Sequence, residues 1–115
     1  MDKKINCINS IVCENPDSPF NYFGWPSVTR LPDGTLAAAA SGFRLSHVCP
    51  FGKAVICYSS DGGSTWTRPA PVIDTPLDDR DAGITVTADG RVIFTSFNNT
   101  RSMQYDWNKR NFGTP

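Results

Sequence analysis

The chain has 115 residues, of which 39% are apolar and 19% charged, and these values are typical of one globular domain. Eleven basic and eleven acidic residues give a formal net charge of zero, which argues against nucleic acid or an anionic membrane surface as the main partner. No apolar run approaches the roughly 20 residues of a membrane span and no secretory leader is recognisable, so we expect a cytoplasmic protein whose cysteines are reduced.

The first part of the chain predicts a four-stranded antiparallel meander. Residues 8–13 predict a separate β-segment, and strands are then predicted over residues 25–31, 35–41, 54–59 and 66 to about 73. The alanine run at residues 37–40 is short, follows the tight turn Pro32-Asp33-Gly34 and ends near Gly42, so it is predicted as strand rather than helix. Pro69 and Pro71 place the fourth strand at a sheet edge.

Residues 59–66 connect the third and fourth strands and have the sequence Ser-Ser-Asp-Gly-Gly-Ser-Thr-Trp. We call this segment the Asp61 turn. An aspartate carboxylate accepts hydrogen bonds from the N–H groups of its own turn, and glycine adopts the positive φ angles that a tight turn requires. The residues expected to hold the turn are Ser59, Asp61, Gly63, Thr65 and Trp66, with Trp66 as a buried lid.

The pattern then restarts, because Asp33-Gly34 is followed 56 positions later by Asp89-Gly90. Strands over residues 83–88 and 91–97 are predicted to form a second hairpin. Four strands per unit and a period of this length are typical of β-propeller blades. We therefore predict an all-β partial propeller in which residues 1–115 form a single partial domain. Residues 1–20 are a strand and loop, residues 21–73 a full blade, and residues 74–115 a linker and half a blade.

A closed ring needs at least four blades. The sequence is therefore expected to be a fragment of a longer propeller. The remainder of that propeller, or other copies of the chain, would cover its strand edges.

Long connections at residues 42–53, 70–82 and 98–113 are expected at the end of the blade opposite the Asp61 turn, because successive hairpins alternate between the two ends. Arg44 either binds a carboxylate or sugar hydroxyls or is a surface arginine bonded to loop carbonyls. His47 is either a proton carrier or a hydrogen-bonded structural residue.

Residues 78–81 have the sequence Asp-Asp-Arg-Asp, a dense charged cluster. Either one carboxylate acts as acid or base, with Asp81 favoured and Asp79 second, or Arg80 neutralises its neighbours and the cluster is structural. No metal or cofactor is expected. The candidate substrate-binding residues, for a carbohydrate ligand, are Arg44, His47, Asp78, Arg80 and Arg101.

The Asp61 turn, the four-strand unit and the Asp-Gly first turn together resemble the sialidase-like superfamily of six-bladed β-propellers, whose repeated turn is called the Asp-box. Ser41-Gly42-Phe43-Arg44 and the Asp-Asp-Arg-Asp of residues 78–81 resemble uncharacterised bacterial members more closely. The resemblance implies a carbohydrate-active or carbohydrate-binding propeller, and it matches Arg44 to a family arginine after the second strand.

Two family positions have no counterpart in this sequence. Gly24 stands where the resemblance places the arginine of the first strand, and residues 45–52 contain no aspartate or glutamate to serve as the acid. These departures argue against sialidase activity itself. Three hypotheses therefore stay open: a glycoside hydrolase with different chemistry, a non-catalytic glycan-binding propeller, and a structural fragment without a site.

Overall fold

The structure is a computed structural model that describes residues 3–99, and every regular element in that range is a β-strand. The strands are β1 (Tyr22–Arg30), β2 (Leu36–Arg44), β3 (Lys53–Ser59), β4 (Ala70–Ile73), β5 (Asp78–Val86) and β6 (Val92–Asn99). The prediction of an all-β chain is confirmed. None of the described elements is a helix that could cross a membrane.

The first sheet is a meander in which β1, β2, β3 and β4 are neighbours in chain order and every pair is antiparallel. Leu36 pairs with Arg30 on one side and with Ser59 on the other, which places the first turn and the Asp61 turn at the same end of the sheet. β4 is at the edge, as the two prolines predict, because a proline cannot donate to a ladder.

The alanine run of β2 is buried on both faces of the sheet, since Ala37, Ala38, Ala39 and Ala40 are all at most 4% exposed. Side chains of adjacent strand positions point to opposite faces. The face with Ala37 and Ala39 packs against Ala82 and Ile84 of β5. Small side chains therefore occur where β2 is covered from both sides, which explains why a run of strong helix formers lies in a strand.

The second sheet is the hairpin of β5 and β6, and β5 packs against β1, β2 and β3. Ser27 of β1 joins the two sheets, because its hydroxyl donates to the carbonyl of Ile84 at 3.4 Å and accepts from the Ile84 N–H at 3.3 Å. The charged segment at residues 78–81 consequently lies beside the end of β2.

Several predicted strand positions are wrong. β1 begins at Tyr22 rather than at residue 25, and β2 continues to Arg44, so that residues 42–44 are strand rather than loop. Residues 8–13 form no strand: Ile8 and Ile11 are 95% and 68% exposed, and Ser10 bonds through its side chain to the Gly63 carbonyl at 2.6 Å. The fourth strand begins at Ala70 rather than at Trp66. The Tyr58 N–H donates to the Thr67 side-chain hydroxyl at 2.9 Å instead of to a backbone carbonyl, so the ladder does not form at this position.

β5 is also longer than predicted, because it begins at Asp78 rather than at residue 83. Charged residues rarely begin a strand on propensity alone. Here the ladder continues to the pair of Asp78 and Asn99, with an irregularity between Arg80 and Gly83. Long-range ion pairing of Asp78, described below, stabilises this extension.

Candidate functional site

The end of the sheet opposite the Asp61 turn contains a buried ion pair between β2 and β5. Arg44 and Asp78 both have fully buried side chains, and Arg44 Nη1 lies 2.6 Å from Asp78 Oδ1. Arg44 Nη2 donates a hydrogen bond to Asp78 Oδ2 at 2.9 Å, so both carboxylate oxygens lie against the guanidinium group. Arg44 also donates to the backbone carbonyls of His47 at 2.8 Å and Asp79 at 3.3 Å. The two Nη atoms of Arg44 are thus engaged inside the protein, while its buried Nε has no hydrogen-bond partner among residues 3–99.

A second arginine, Arg80, is held much more loosely. Its Nη1 lies 3.7 Å from Asp78 Oδ2 and its Nη2 lies 3.5 Å from His47 Nε2, while its buried Nε has no hydrogen-bond partner among residues 3–99. Guanidinium groups normally satisfy several of their five N–H donors when they are buried. Arg80 therefore retains donor capacity that the described part of the chain does not use.

Trp25 lies at the centre of this group. Its ring centroid is 4.8 Å from the guanidinium carbon of Arg80 and 5.4 Å from that of Arg44, distances typical of cation–π contacts. The exposed imidazole of His47 meets the Trp25 ring edge-to-face with centroids 4.9 Å apart. We call the group of Trp25, Arg44, His47, Asp78 and Arg80 the Trp25 cluster.

Local irregularities in the strands surround the Trp25 cluster. Trp25, Phe43 and Asp81 have positive φ angles of 51°, 52° and 48°, which non-glycine residues rarely adopt. The β1 ladder is irregular on both sides of Gly24 and the β5 ladder between Arg80 and Gly83. Bulges change the direction in which a side chain points and are frequent beside binding sites. These irregularities are what bring side chains of β1, β2 and β5 together here.

The two candidate catalytic carboxylates are in different environments. Asp79 is fully buried and accepts from the Thr75 N–H at 2.6 Å, from the Thr75 hydroxyl at 2.8 Å and from the side-chain amide of Asn98. Its bonds hold the turn that precedes β5. Asp81 is exposed, and its N–H donates to the Ser41 hydroxyl at 2.8 Å. Of residues 78–81, only Asp81 has a carboxylate open to solvent.

The Asp61 turn has the hydrogen bonds expected from its sequence. Asp61 Oδ1 accepts from the Thr65 N–H at 2.9 Å and from the Ser59 hydroxyl at 2.8 Å, and Oδ2 accepts from the Thr65 hydroxyl at 2.5 Å. These bonds, led by that from the Thr65 hydroxyl, lower the pKa of Asp61 to about 2. Gly62 and Gly63 have φ angles of 73° and 95°. Most of the Trp66 side chain is out of solvent, and its indole N–H donates to the Gly63 carbonyl at 3.1 Å, so the ring packs over the turn as predicted.

A cleft of about 540 Å³ lies elsewhere, between the N-terminal segment and the start of the connection to β4. It is lined by residues that include Ile11, Glu14, Phe43, Trp66 and Arg68. Cavity size alone would favour this cleft as a binding site. We favour the Trp25 cluster, because it holds a buried guanidinium with unused donors beside an aromatic ring.

Arg101 lies outside the described residues. Within residues 3–99, no group of three or more histidine, cysteine, aspartate and glutamate side chains could hold a metal ion. The sequence interpretation did not include Trp25 among the site residues. The available signal was its position in Gly24-Trp25-Pro26, where the strand pattern begins and a proline already disturbs the ladder.

Comparison with known proteins identifies a likeness in fold only. No protein-family model matches the chain, and no curated protein matches it. A solved structure from Dyadobacter fermentans DSM 18053, described as a protein of unknown function, is similar with a TM-score of 0.64 and 22% sequence identity. The alignment covers 91% of this chain and 30% of that one, so the chain spans about a third of the length of the structure it matches.

These findings correct the resemblance drawn from the sequence. The assignment to the sialidase-like superfamily is wrong: no sialidase family matches, and the similar structure is one of unknown function. The described residues form one sheet of four strands and one of two, without a repeated unit or propeller closure. The motif at residues 59–66 is a turn held by its own hydrogen bonds. Because its residues all serve to form the turn, the motif says little about the chemistry of a protein family.

Proposed function

We propose that the Trp25 cluster is a carbohydrate-binding surface and that the chain is a non-catalytic binding unit. The observation that supports this most directly is the loosely held guanidinium of Arg80. Its Nε has no hydrogen-bond partner among residues 3–99, and its Nη atoms have only long contacts, at 3.7 and 3.5 Å, beside the half-buried ring of Trp25 and the exposed imidazole of His47. Sugars present hydroxyl or carboxylate oxygens along an apolar ring face, which suits a planar donor next to an aromatic ring.

Arg44 and Asp78 have a supporting role in this proposal. Their ion pair is fully buried, and Asp78 Oδ2 is the carboxylate oxygen nearest to Arg80 at 3.7 Å. The carboxylate thereby balances two guanidinium groups. Within the Trp25 cluster itself, two guanidinium groups face one carboxylate, while Asp79 is engaged by Thr75 and Asn98. This local excess of positive charge favours a ligand that carries a carboxylate, such as a uronate, over a neutral sugar.

Glycoside hydrolysis is the weaker candidate. Glycoside hydrolases of the common type need two carboxyl groups flanking the bond that is cleaved. The oxygens of Asp78 and Asp79 are engaged by Arg44, Thr75 and Asn98. Asp81 alone is open to solvent, so a role for it as acid or base stays a prediction that needs a second carboxylate from elsewhere.

We also propose that the two sheets are neighbouring units of a larger β-ring. Two features support this arrangement: β5 packs across the strands of the first sheet, and the turns after β1 and β5 have the same backbone hydrogen bonds. Gly34 N–H donates to the Leu31 carbonyl and Gly90 N–H to the Thr87 carbonyl, both at 2.9 Å.

The binding proposal is tested by calorimetric titration of the chain with oligogalacturonate as the anionic probe and with a neutral oligogalactoside of equal length. We expect Arg80→Lys to weaken oligogalacturonate binding about tenfold or more, because lysine keeps the charge but lacks the planar fork. Arg91→Lys is the matched control, since Arg91 is an arginine of the same chain with an 82% exposed side chain.

Equal affinities of the Arg80→Lys and Arg91→Lys variants would place binding outside the Trp25 cluster. An absence of binding to either sugar by the unaltered chain would contradict the proposal itself. A preference for the neutral sugar would contradict only the choice of an anionic ligand.

A further inference from the structure

Two cysteines that are far apart in sequence meet at one point of the structure. Cys13 Sγ lies 3.1 Å from Cys57 Sγ, across a separation of 44 positions. Cys57 belongs to β3 and is fully buried, whereas Cys13 lies on the N-terminal segment and is half-buried. A disulfide bond is about 2.05 Å long. The two sulfur atoms would therefore have to approach each other by about 1 Å to form one.

Contacts on either side of Cys13 hold it in this position. Ser10 donates to the Gly63 carbonyl at 2.6 Å, and the Asn15 N–H donates to the side-chain oxygen of Asn21 at 2.7 Å. The segment is therefore fixed three residues before and two residues after Cys13. The backbone position of the segment therefore brings the two thiols together, rather than the choice of one side-chain rotamer.

Cys13 and Cys57 meet on the face of the four-stranded sheet that β5 does not cover. Cys57 is the register partner of Ala38, and both point away from the face with Ala37 and Ala39. Both are nevertheless buried, at 0% and 4% exposure. The N-terminal segment covers this face, although no strand ladder joins it to the sheet.

We propose that Cys13 and Cys57 form a disulfide bond that ties the N-terminal segment to β3. The other two cysteines have different surroundings: Cys7 is exposed, and Cys49 is buried with its sulfur accepting from the Leu45 N–H at 3.4 Å. The expectation that all four cysteines are simply reduced is therefore replaced, for this pair, by two states that depend on the redox conditions.

The oxidant in this proposal is a small disulfide such as glutathione disulfide. The Cys13 thiolate attacks one sulfur of glutathione disulfide, forms a mixed disulfide and releases one glutathione thiolate. Cys57 then loses its proton and attacks the Cys13 sulfur, which forms the Cys13–Cys57 bond and releases the second glutathione. In total, two protein thiols are oxidised and one glutathione disulfide is reduced to two glutathione molecules.

The order of attack follows from the environment of each sulfur. Cys13 is the more accessible of the two. The hydrogen bond from Cys57 lowers the pKa of Cys13, and the same contact, together with burial, raises the pKa of Cys57. Cys13 is thus the attacking group and Cys57 the resolving group.

Oxidation would also fix one wall of the cleft of about 540 Å³. Ile11, Val12 and Glu14, which flank Cys13 in sequence, line this cleft opposite residues 66–69. With the disulfide formed, the segment cannot leave the sheet without unfolding β3. In the reduced state, only hydrogen bonds and packing hold it there.

The test is to incubate the folded, reduced chain with glutathione disulfide, alkylate the remaining thiols, digest with trypsin and identify cross-linked peptides by mass spectrometry. Because trypsin does not cut between Arg68 and Pro69, it leaves Cys57 in the peptide of residues 54–80 and both Cys7 and Cys13 in that of residues 5–30. The Cys7→Ser variant removes the ambiguity. We expect the link between these two peptides to persist in Cys7→Ser and in Cys49→Ser, and to be lost in Cys13→Ser.

A second measurement keeps the proposal testable if a serine variant folds poorly. The closed loop spans 44 positions, so the oxidised chain should melt about 10 °C above the reduced chain, and Cys13→Ser should abolish that difference. A link from Cys7 to Cys57, or no link in the unaltered chain, would overturn the pairing. A Cys13–Cys57 link without a rise in melting temperature would overturn the claim that the bond ties the segment to the sheet.

Discussion

The two ends of the four-stranded sheet hold their carboxylates in opposite ways. At one end, Asp61 is exposed and accepts all of its bonds from residues 59–65, which belong to its own turn. At the other end, Asp78 is fully buried and pairs with Arg44, which lies 34 positions away. The first arrangement is local and solvated, while the second depends on the packing of β5 against β2.

This difference has energetic consequences. Water remains available to an exposed carboxylate when its partners are removed, so the cost of losing a bond is limited. A buried charge without its partner has no such replacement, and breaking the pair is strongly destabilising. We therefore expect the Trp25 cluster to be sensitive to substitution and the Asp61 turn to be tolerant.

The largest effect is expected from Asp78→Ala, which leaves the fully buried Arg44 without its counter-charge. The free energy of unfolding should fall by about 3–5 kcal/mol, measured by urea denaturation. Asp74→Ala is the matched control, because Asp74 pairs with Lys53 at 2.5 Å but its side chain is 52% exposed. That control should lose about 1 kcal/mol or less.

Equal losses in Asp78→Ala and Asp74→Ala would contradict the distinction between buried and exposed pairs. The joint variant Arg44→Met with Asp78→Leu sharpens the comparison. It removes both charges and should recover most of the stability that Asp78→Ala loses.

An intermediate effect is expected from Gly52→Ala. A Cβ atom at residue 52 would overlap Arg44 Nη1 and lie 2.6 Å from Asp78 Oδ1, and neither side chain can move without separating the ion pair. We expect a loss of about 1–3 kcal/mol, with the midpoint of urea denaturation as the measurement. Gly24→Ala is the control, since its nearest side-chain atom is at an ordinary 3.6 Å. A neutral Gly52→Ala variant would show that the pair has room to move.

The smallest effect is expected at the Asp61 turn, and it should depend on pH. The pKa of Asp61 is lowered from 3.8 to about 2 in the folded chain, so its bonds stabilise the fold at pH values above about 4. This contribution is lost as the pH falls through the range from about 4 to about 2. The melting temperature of Asp61→Asn should therefore lie slightly below that of the unaltered chain at pH 6, and the two should converge near pH 2.

Thr65→Val tests the cause of this shift. The Thr65 hydroxyl makes the largest contribution to the lowered pKa of Asp61. In the Thr65→Val background, the melting temperatures of the chains with Asp61 and with Asp61→Asn should therefore converge at a higher pH. A difference between Asp61→Asn and the unaltered chain that stays constant down to pH 2 would show that the carboxylate charge does not matter for the turn.

Sequence patterns alone determined the parts of the chain whose hydrogen bonds span a few residues. The Asp61 turn and the turns at Asp33-Gly34 and Asp89-Gly90 are readable because donors and acceptors lie within five positions of one another. The all-β class and the edge position of β4 follow from alternation, breakers and proline chemistry. The same local motif did not identify a family, because it describes only a turn.

Tertiary structure alone decided the burial of charge, the start of β5 and the position of the N-terminal segment. Asp78 begins a strand because Arg44 neutralises it from 34 positions away, and Trp25 enters the site because irregularities in β1 and β5 turn its ring towards Arg44 and Arg80. Cys13 meets Cys57 across 44 positions although residues 8–13 form no strand. The secondary-structure propensity of neighbouring residues does not predict such contacts, because they exist only once the strands have packed.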